Sequence, residues 1–100
     1  MTEAAKQDFT KLDGSVKPQV LRAMYKASNN PLPQSEGGYG VELGNRSGID
    51  LTGCLKLKIK KAGVRIVYTL ERTAKSMNIV IIGMRADMEV YKEAAKRLGR

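Results

Sequence analysis

The chain has 100 residues, room for one domain with one modest core. Hydrophobic residues make up 42% of it, too many for a disordered chain. The formal net charge of +8 excludes an evenly balanced surface: residues 1–51 carry six basic and six acidic side chains, residues 52–100 twelve basic and four acidic. All of the excess therefore lies in the second half, which points to a polyanionic partner, nucleic acid first. No apolar run approaches the roughly 20 residues that span a bilayer. The opening Met-Thr-Glu-Ala-Ala-Lys lacks the layout of a secretory leader, so the expected location is cytoplasmic, without a membrane partner. Cys54 is the one cysteine and histidine is absent, so neither an internal disulfide nor a zinc site can be assembled and no cofactor is expected. Cys54 itself reads as a small buried residue near a strand start.

Residues 2–12 predict a helix, with Ala5, Phe9 and Leu12 on one face. Asp13-Gly14 is a turn signal, and Ser15 is placed to cap a second helix over 16–28. Pro18 falls in its first turn, where a missing N–H costs little, and Asn30-Pro31 stops it. The pair is an antiparallel αα-hairpin. Residues 31–50 are rich in Pro, Gly, Ser and Asn and read as a long loop, with a short strand at 39–43.

From Leu51 the period changes. Leu55, Leu57 and Ile59 alternate with Lys56, Lys58 and Lys60, the pattern of a half-buried strand with a cationic outer face. A turn at Lys61-Ala62 leads into a second strand over 64–70, and the pattern puts Arg65 opposite Lys58; a one-residue slip would drive Arg65 into the apolar face. Residues 78–83, apolar on both faces, read as a central strand. Asp87 is placed to cap a last helix over 88–98, with Lys96 and Arg97 in its final turn. The expected architecture is a single α+β domain over 1–100: an N-terminal αα-hairpin packed on a small antiparallel sheet, with a C-terminal helix.

Lys56 and Lys58 on one strand face repel each other unless something negative answers them. Lys60 and Lys61, near the turn tip, are accounted for by solvent alone. With Arg65 across from them, the first two form a cradle for a phosphate. Arg85 follows the strand that ends at Gly83, where rigid backbone holds a cation well. Tyr91, one turn into the last helix, either fills the core or points its hydroxyl at the cations.

These residues carry a specific resemblance. Leu51-Thr52-Gly53-Cys54-Leu55-Lys56-Leu57-Lys58 is similar to a Leu-x-Gly-x-x-Lys-x-Lys strand, and Gly63-Val64-Arg65-Ile66-Val67-Tyr68 to a Gly-x-Arg-x-x-Tyr strand. Gly83-Met84-Arg85, then Tyr91 and the Ala94–Arg97 segment, resemble a closing Gly-x-Arg…Tyr-x-x-Ala…Arg segment. In this order and spacing they resemble the RelE branch of the RelE/ParE toxin superfamily of toxin–antitoxin systems. The resemblance implies a ribosome-dependent endoribonuclease that cuts messenger RNA in the decoding site, and a cognate antitoxin that masks it. It implies a site made of Lys56, Lys58, Arg65, Arg85 and Tyr91. Cleavage without a metal uses the neighbouring 2′-OH as nucleophile and leaves a 2′,3′-cyclic phosphate. Without histidine, the candidates for the base are Tyr91 and Lys58, whose loss of a proton neighbouring cations favour. Arg85 would assist the leaving 5′-oxygen, Lys56 and Arg65 would hold the phosphate, and arginine is a poor proton donor.

The family usually opens with a β-strand, which this sequence does not show before its first helix. An unpaired sheet edge prone to self-association is the expected consequence. Three rivals compete. A ParE-like toxin that binds DNA gyrase and catalyses nothing would not need the five site residues. A branch whose chemistry uses a Glu and a His is disfavoured by the lack of histidine. A passive RNA-binding module should carry exposed aromatic platforms, and the chain has only one Phe, four Tyr and no Trp.

Overall fold

A computed structural model describes residues 1–84 and 86–100. Helices α1 (Glu3–Thr10) and α2 (Lys17–Asn29) come first, then strands β1 (Val41–Arg46), β2 (Ile49–Ile59), β3 (Val64–Glu71) and β4 (Ser76–Gly83), then helix α3 (Asp87–Arg97). The strands form one antiparallel sheet in chain order, β1-β2-β3-β4. This is the expected α+β domain, with one more strand than the clearest sequence signals showed.

The αα-hairpin covers one face of the sheet. Ala5, Leu12, Val20 and Met24 meet Leu55, Val64, Ile66, Tyr68, Ile79 and Ile82 there. On the other face α3 packs Val90, Tyr91, Ala94 and Ala95 against Cys54, Val67, Val80 and Ile81. Strands buried on both sides explain why β4 and the centre of β3 read as continuous apolar runs. Cys54 is buried, and burial pushes its thiol up from the usual range.

Thr2 caps α1, its Oγ1 accepting from the Ala5 N–H at 3.1 Å. Ser15 does not cap α2. The capping position is Val16, without a side-chain bond, and the Ser15 hydroxyl donates instead to Asp13 Oδ2 at 2.8 Å. A half-turn through residues 14–16 displaces the helix start by one residue.

The stretch read as a long loop holds more structure than expected. Gln34–Glu36 is a 3₁₀ turn, tied to the end of β3 by a two-pronged pair from Arg72 to Glu36 at 2.9 and 2.8 Å. β1 then pairs with the first half of β2, turning at Ser47-Gly48 with φ of 52° and 82°. Two consecutive positive φ values define the tight hairpin whose twist suits its strands. Gly40 is needed for a different reason: a Cβ there would lie 2.1 Å from the Tyr68 hydroxyl. That hydroxyl is buried and donates to the Pro31 carbonyl at 2.9 Å, fastening the loop onto β3. Burial pushes the Tyr68 phenol up to about 12.

β4 is not the central strand its composition suggests; it is an edge of the sheet. Nor does that edge present a bare row of donors and acceptors. The Thr2 N–H donates to the Ile79 carbonyl at 3.0 Å. The Ile82 N–H donates to Asp8 Oδ2 at 3.0 Å, and Arg97 Nη1 donates to the Val80 carbonyl at 3.0 Å. Arg97 and Asp8 also pair with each other, at 2.6 and 3.1 Å. Side chains from α1 and α3 thus occupy the edge that a further strand would otherwise fill, which answers the expected exposure.

Candidate functional site

The antiparallel register places Lys58 opposite Arg65, and Arg65 opposite Gly83 on the next strand. Four loop residues, Lys60 to Gly63, close the turn, and Gly63 takes a φ of 68°. The apolar sets of β2 and β3 are thereby held on the hairpin face, so Lys56, Lys58 and Arg65 share the face that carries α3.

α3 lies close against that face because its contact residues are small. Ala94 and Ala95 are buried, and a Cβ on Gly83 would lie 2.9 Å from a Val90 methyl. Asp87 and Tyr91, four residues apart, share one side of the helix. Tyr91 is 3% exposed, and its hydroxyl accepts from Lys56 Nζ at 3.1 Å. The same ammonium stands 5.8 Å from the ring centroid, within cation–π range. Both sequence alternatives for Tyr91 therefore hold at once: its ring fills the core and its hydroxyl meets the cations.

Asp87 does not cap α3. The capping position is Ala86, with no side-chain bond, and Asp87 is the first helical residue. Its carboxylate accepts from Arg65 Nε and stands 3.9 Å from Lys58 Nζ. Arg65 Nη1 also donates to the Gly63 carbonyl at 3.0 Å, which fixes the plane of the guanidinium. The Arg65 bond, and the lysines behind it, hold the Asp87 carboxyl below the usual carboxylate range.

Four of the five expected residues fall within the described structure, and all four converge at the junction of β2, β3 and α3. Arg85 lies outside the described residues. Asp87 is the member that sequence reasoning missed as part of the site. Its spacing from Tyr91 was the available signal, and its position at a helix start drew the capping interpretation instead.

A cleft of about 430 Å³ runs along the edge of β2 past Lys56, Lys58 and Lys60, bounded opposite by Lys26 and Tyr39. Lys26 Nζ lies 5.0 Å from the Tyr39 ring centroid. Tyr39 is 44% exposed and Tyr25 73%, so aromatic surface is not lacking, contrary to expectation. Tyr25 lies on α2 and Tyr39 in the loop that borders the cleft, which the count of aromatics alone did not reveal. Lys56 and Lys58 belong both to this cleft and to the cluster with Arg65, Tyr91 and the Asp87 carboxylate; the chemistry that cluster offers is the binding of an anion beside a phenol.

No family model matches the chain. It is 26% identical over 96 residues to the mRNA interferase toxin RelE of Escherichia coli strain K12, covering 96% of this chain and 90% of that protein. The mRNA interferase RelE of Shigella flexneri matches to the same extent. Among solved structures, the isolated E. coli RelE toxin superposes with a TM-score of 0.64 at 24% identity, covering 97% of this chain and 93% of that one. A double mutant of E. coli RelE in the free state reaches 0.69, also at 24% identity, over 97% and 92% of the two chains. The toxin of the intact E. coli RelBE toxin–antitoxin complex gives 0.64 at 19% identity, over 85% and 92%.

Proposed function

From a chain that is RelE-like in sequence and in fold, we propose a toxin that cuts messenger RNA on the ribosome and is neutralised by a cognate antitoxin. The mRNA interferases it resembles support the ribonuclease part, and the solved RelBE complex supports the antitoxin. The single observation that carries the chemistry is the buried Tyr91 hydroxyl held at 3.1 Å by Lys56. A phenol acts as a base only as phenolate, and Lys56 is the counter-ion that phenolate needs.

In the proposed reaction the Tyr91 phenolate takes the proton of a ribose 2′-OH. The 2′-oxygen attacks the adjacent phosphorus, the bond from phosphorus to the 5′-oxygen breaks, and a 2′,3′-cyclic phosphate remains. The 5′-oxygen leaves with charge stabilised by the cations and takes its proton from solvent. Lys58 and Arg65 hold the phosphate, and Arg85 serves the leaving oxygen electrostatically. Lys58 is the weaker candidate for the base, because it is exposed and pairs with Asp87. No metal enters this scheme. The site holds no strong proton donor. Alignment of the messenger by the ribosome would supply the missing rate, since positioning alone is worth up to about 7–11 kcal/mol.

The test is a reconstituted translation reaction with messenger ends mapped by primer extension. Cuts are expected on translated messenger, not on naked messenger, and not with Arg85→Ala protein. A messenger with a 2′-deoxy sugar at the cut position should stay whole. Efficient cutting of that substrate would remove the 2′-OH mechanism. Absence of cuts in every lane would favour a non-catalytic toxin of the same fold, such as a gyrase binder.

A further inference from the structure

The cations of the site are already answered by an anion of the protein itself. Arg65 is more enclosed than Lys58, its side chain 17% exposed against 35%, and its Nε is committed to Asp87. Lys58 stands 3.9 Å from the other oxygen of the same carboxylate. A carboxylate and a phosphate present oxygens to a guanidinium in much the same way. A phosphate that sought these groups would arrive where the carboxylate now sits. Asp87 can yield that place. It is the first residue of α3, its side chain is 38% exposed, and its neighbours Ala86 and Met88 are exposed.

We infer that Asp87 is a built-in competitor of the substrate phosphate: its carboxylate occupies Arg65 and Lys58 in the free protein and must swing out before a phosphodiester can bind. This rests on reading that face as a phosphate site and names how the site is regulated. The site thus has low affinity for loose RNA despite the charge around it. Binding strengthens only where other contacts bring the backbone to Arg65 and displace the carboxylate.

The rival view is that Asp87 merely orients Arg65 for the phosphate. The two predict opposite signs on removal of the charge. Binding is measured by fluorescence anisotropy of a labelled, uncleavable 2′-O-methyl oligoribonucleotide over a range of salt. Asp87→Asn should tighten binding about threefold or more and steepen the salt dependence by about 0.7 in log–log slope, one further phosphate contact. Glu89→Gln removes the same charge from an exposed position on the same helix turn, with no partner among the described ion pairs, and should change affinity less than twofold. Asp87→Ser, which also removes the carboxylate, is measured alongside in case the amide perturbs the helix start. Unchanged or weaker binding in folded Asp87→Asn and Asp87→Ser would overturn the inference. So would an equal gain in Glu89→Gln, which would reduce the effect to net charge. The probe cannot be cut, so the result does not depend on catalysis. A wild-type chain that fails to cut translated messenger would sink the ribonuclease reading and leave this one standing.

Discussion

A single hydroxyl separates the proposed base from a structural aromatic. Tyr91→Phe retains the buried ring and removes only the group that Lys56 meets at 3.1 Å. Cutting of translated messenger should fall about 10²–10⁴-fold, the usual worth of a positioned base, with little loss of stability. Lys58→Ala, if Lys58 serves phosphate binding, should weaken substrate use more than it slows the step after binding. A Tyr91→Phe protein that cuts normally would pass the role of base to Lys58. Asp87 makes a second prediction at this scale. Its folded-state carboxyl titrates below the ordinary value of 3.8, chiefly through the Arg65 hydrogen bond. A lowered value means the pair contributes stability above pH ~4 and loses it as pH falls through the folded value. Acid unfolding should therefore show a limb below about pH 4 that is shallower in Asp87→Asn. The exposure of the pair limits the size of this effect.

Helix α3 carries Tyr91 and Asp87, and its seat on the sheet depends on Arg97. That side chain reaches Asp8 on α1 and the Val80 carbonyl on β4, and also takes Glu93 at 3.1 Å. Arg97→Ala would strand an Asp8 carboxylate that is 17% exposed, together with a strand-edge carbonyl. The expected cost is about 2–3 kcal/mol, or roughly 10–15 °C in thermal midpoint, read by circular dichroism. Arg97→Lys should recover part of it, since an ammonium keeps the charge without the fork. The same scale shows what the sequence made legible. Alternation of Lys with Leu and Ile gave β2, the apolar set Val64, Ile66, Tyr68 and Leu70 gave β3, and Arg65 set the register opposite Lys58, because a slip by one residue is costly there. β1 was barely legible, because its pairing rests on Gly44, Ser47, Gly48 and Gly53 in positive-φ geometry rather than on an apolar period. The edge position of β4 was illegible for another reason. Its apolar faces look central, while the groups that close its open side come from residues 2, 8 and 97, a tertiary fact with no local signal. The cations of the site were readable by type and spacing; Asp87 was not, because an acidic residue at a helix start already has an ordinary explanation.

Over the whole molecule, Lys58 and Arg65 face each other across β2 and β3, and Lys56, Lys58 and Lys60 line the cleft that Lys26 bounds opposite. With three or four phosphates engaged, log affinity for the uncleavable oligonucleotide should fall with log salt at a slope of about −2 to −3. Between about 50 and 200 mM salt that amounts to a 20–50-fold loss. A flat response would mean that the cationic face is not where RNA binds. An acidic antitoxin segment would answer the same face, and it should protect most at low salt.

The Asp8–Arg97 clasp also bears on when the protein becomes competent. It joins residues 89 positions apart in the chain, and the site it steadies needs β2 and β3 as well as α3. Contacts of such long range form late and slowly, since the intervening chain has to be ordered first. During synthesis the αα-hairpin and the first strands emerge before α3 exists to complete the site. A nascent chain therefore lacks Tyr91, Asp87 and the clasp together until α3 is made, and no complete site exists before then.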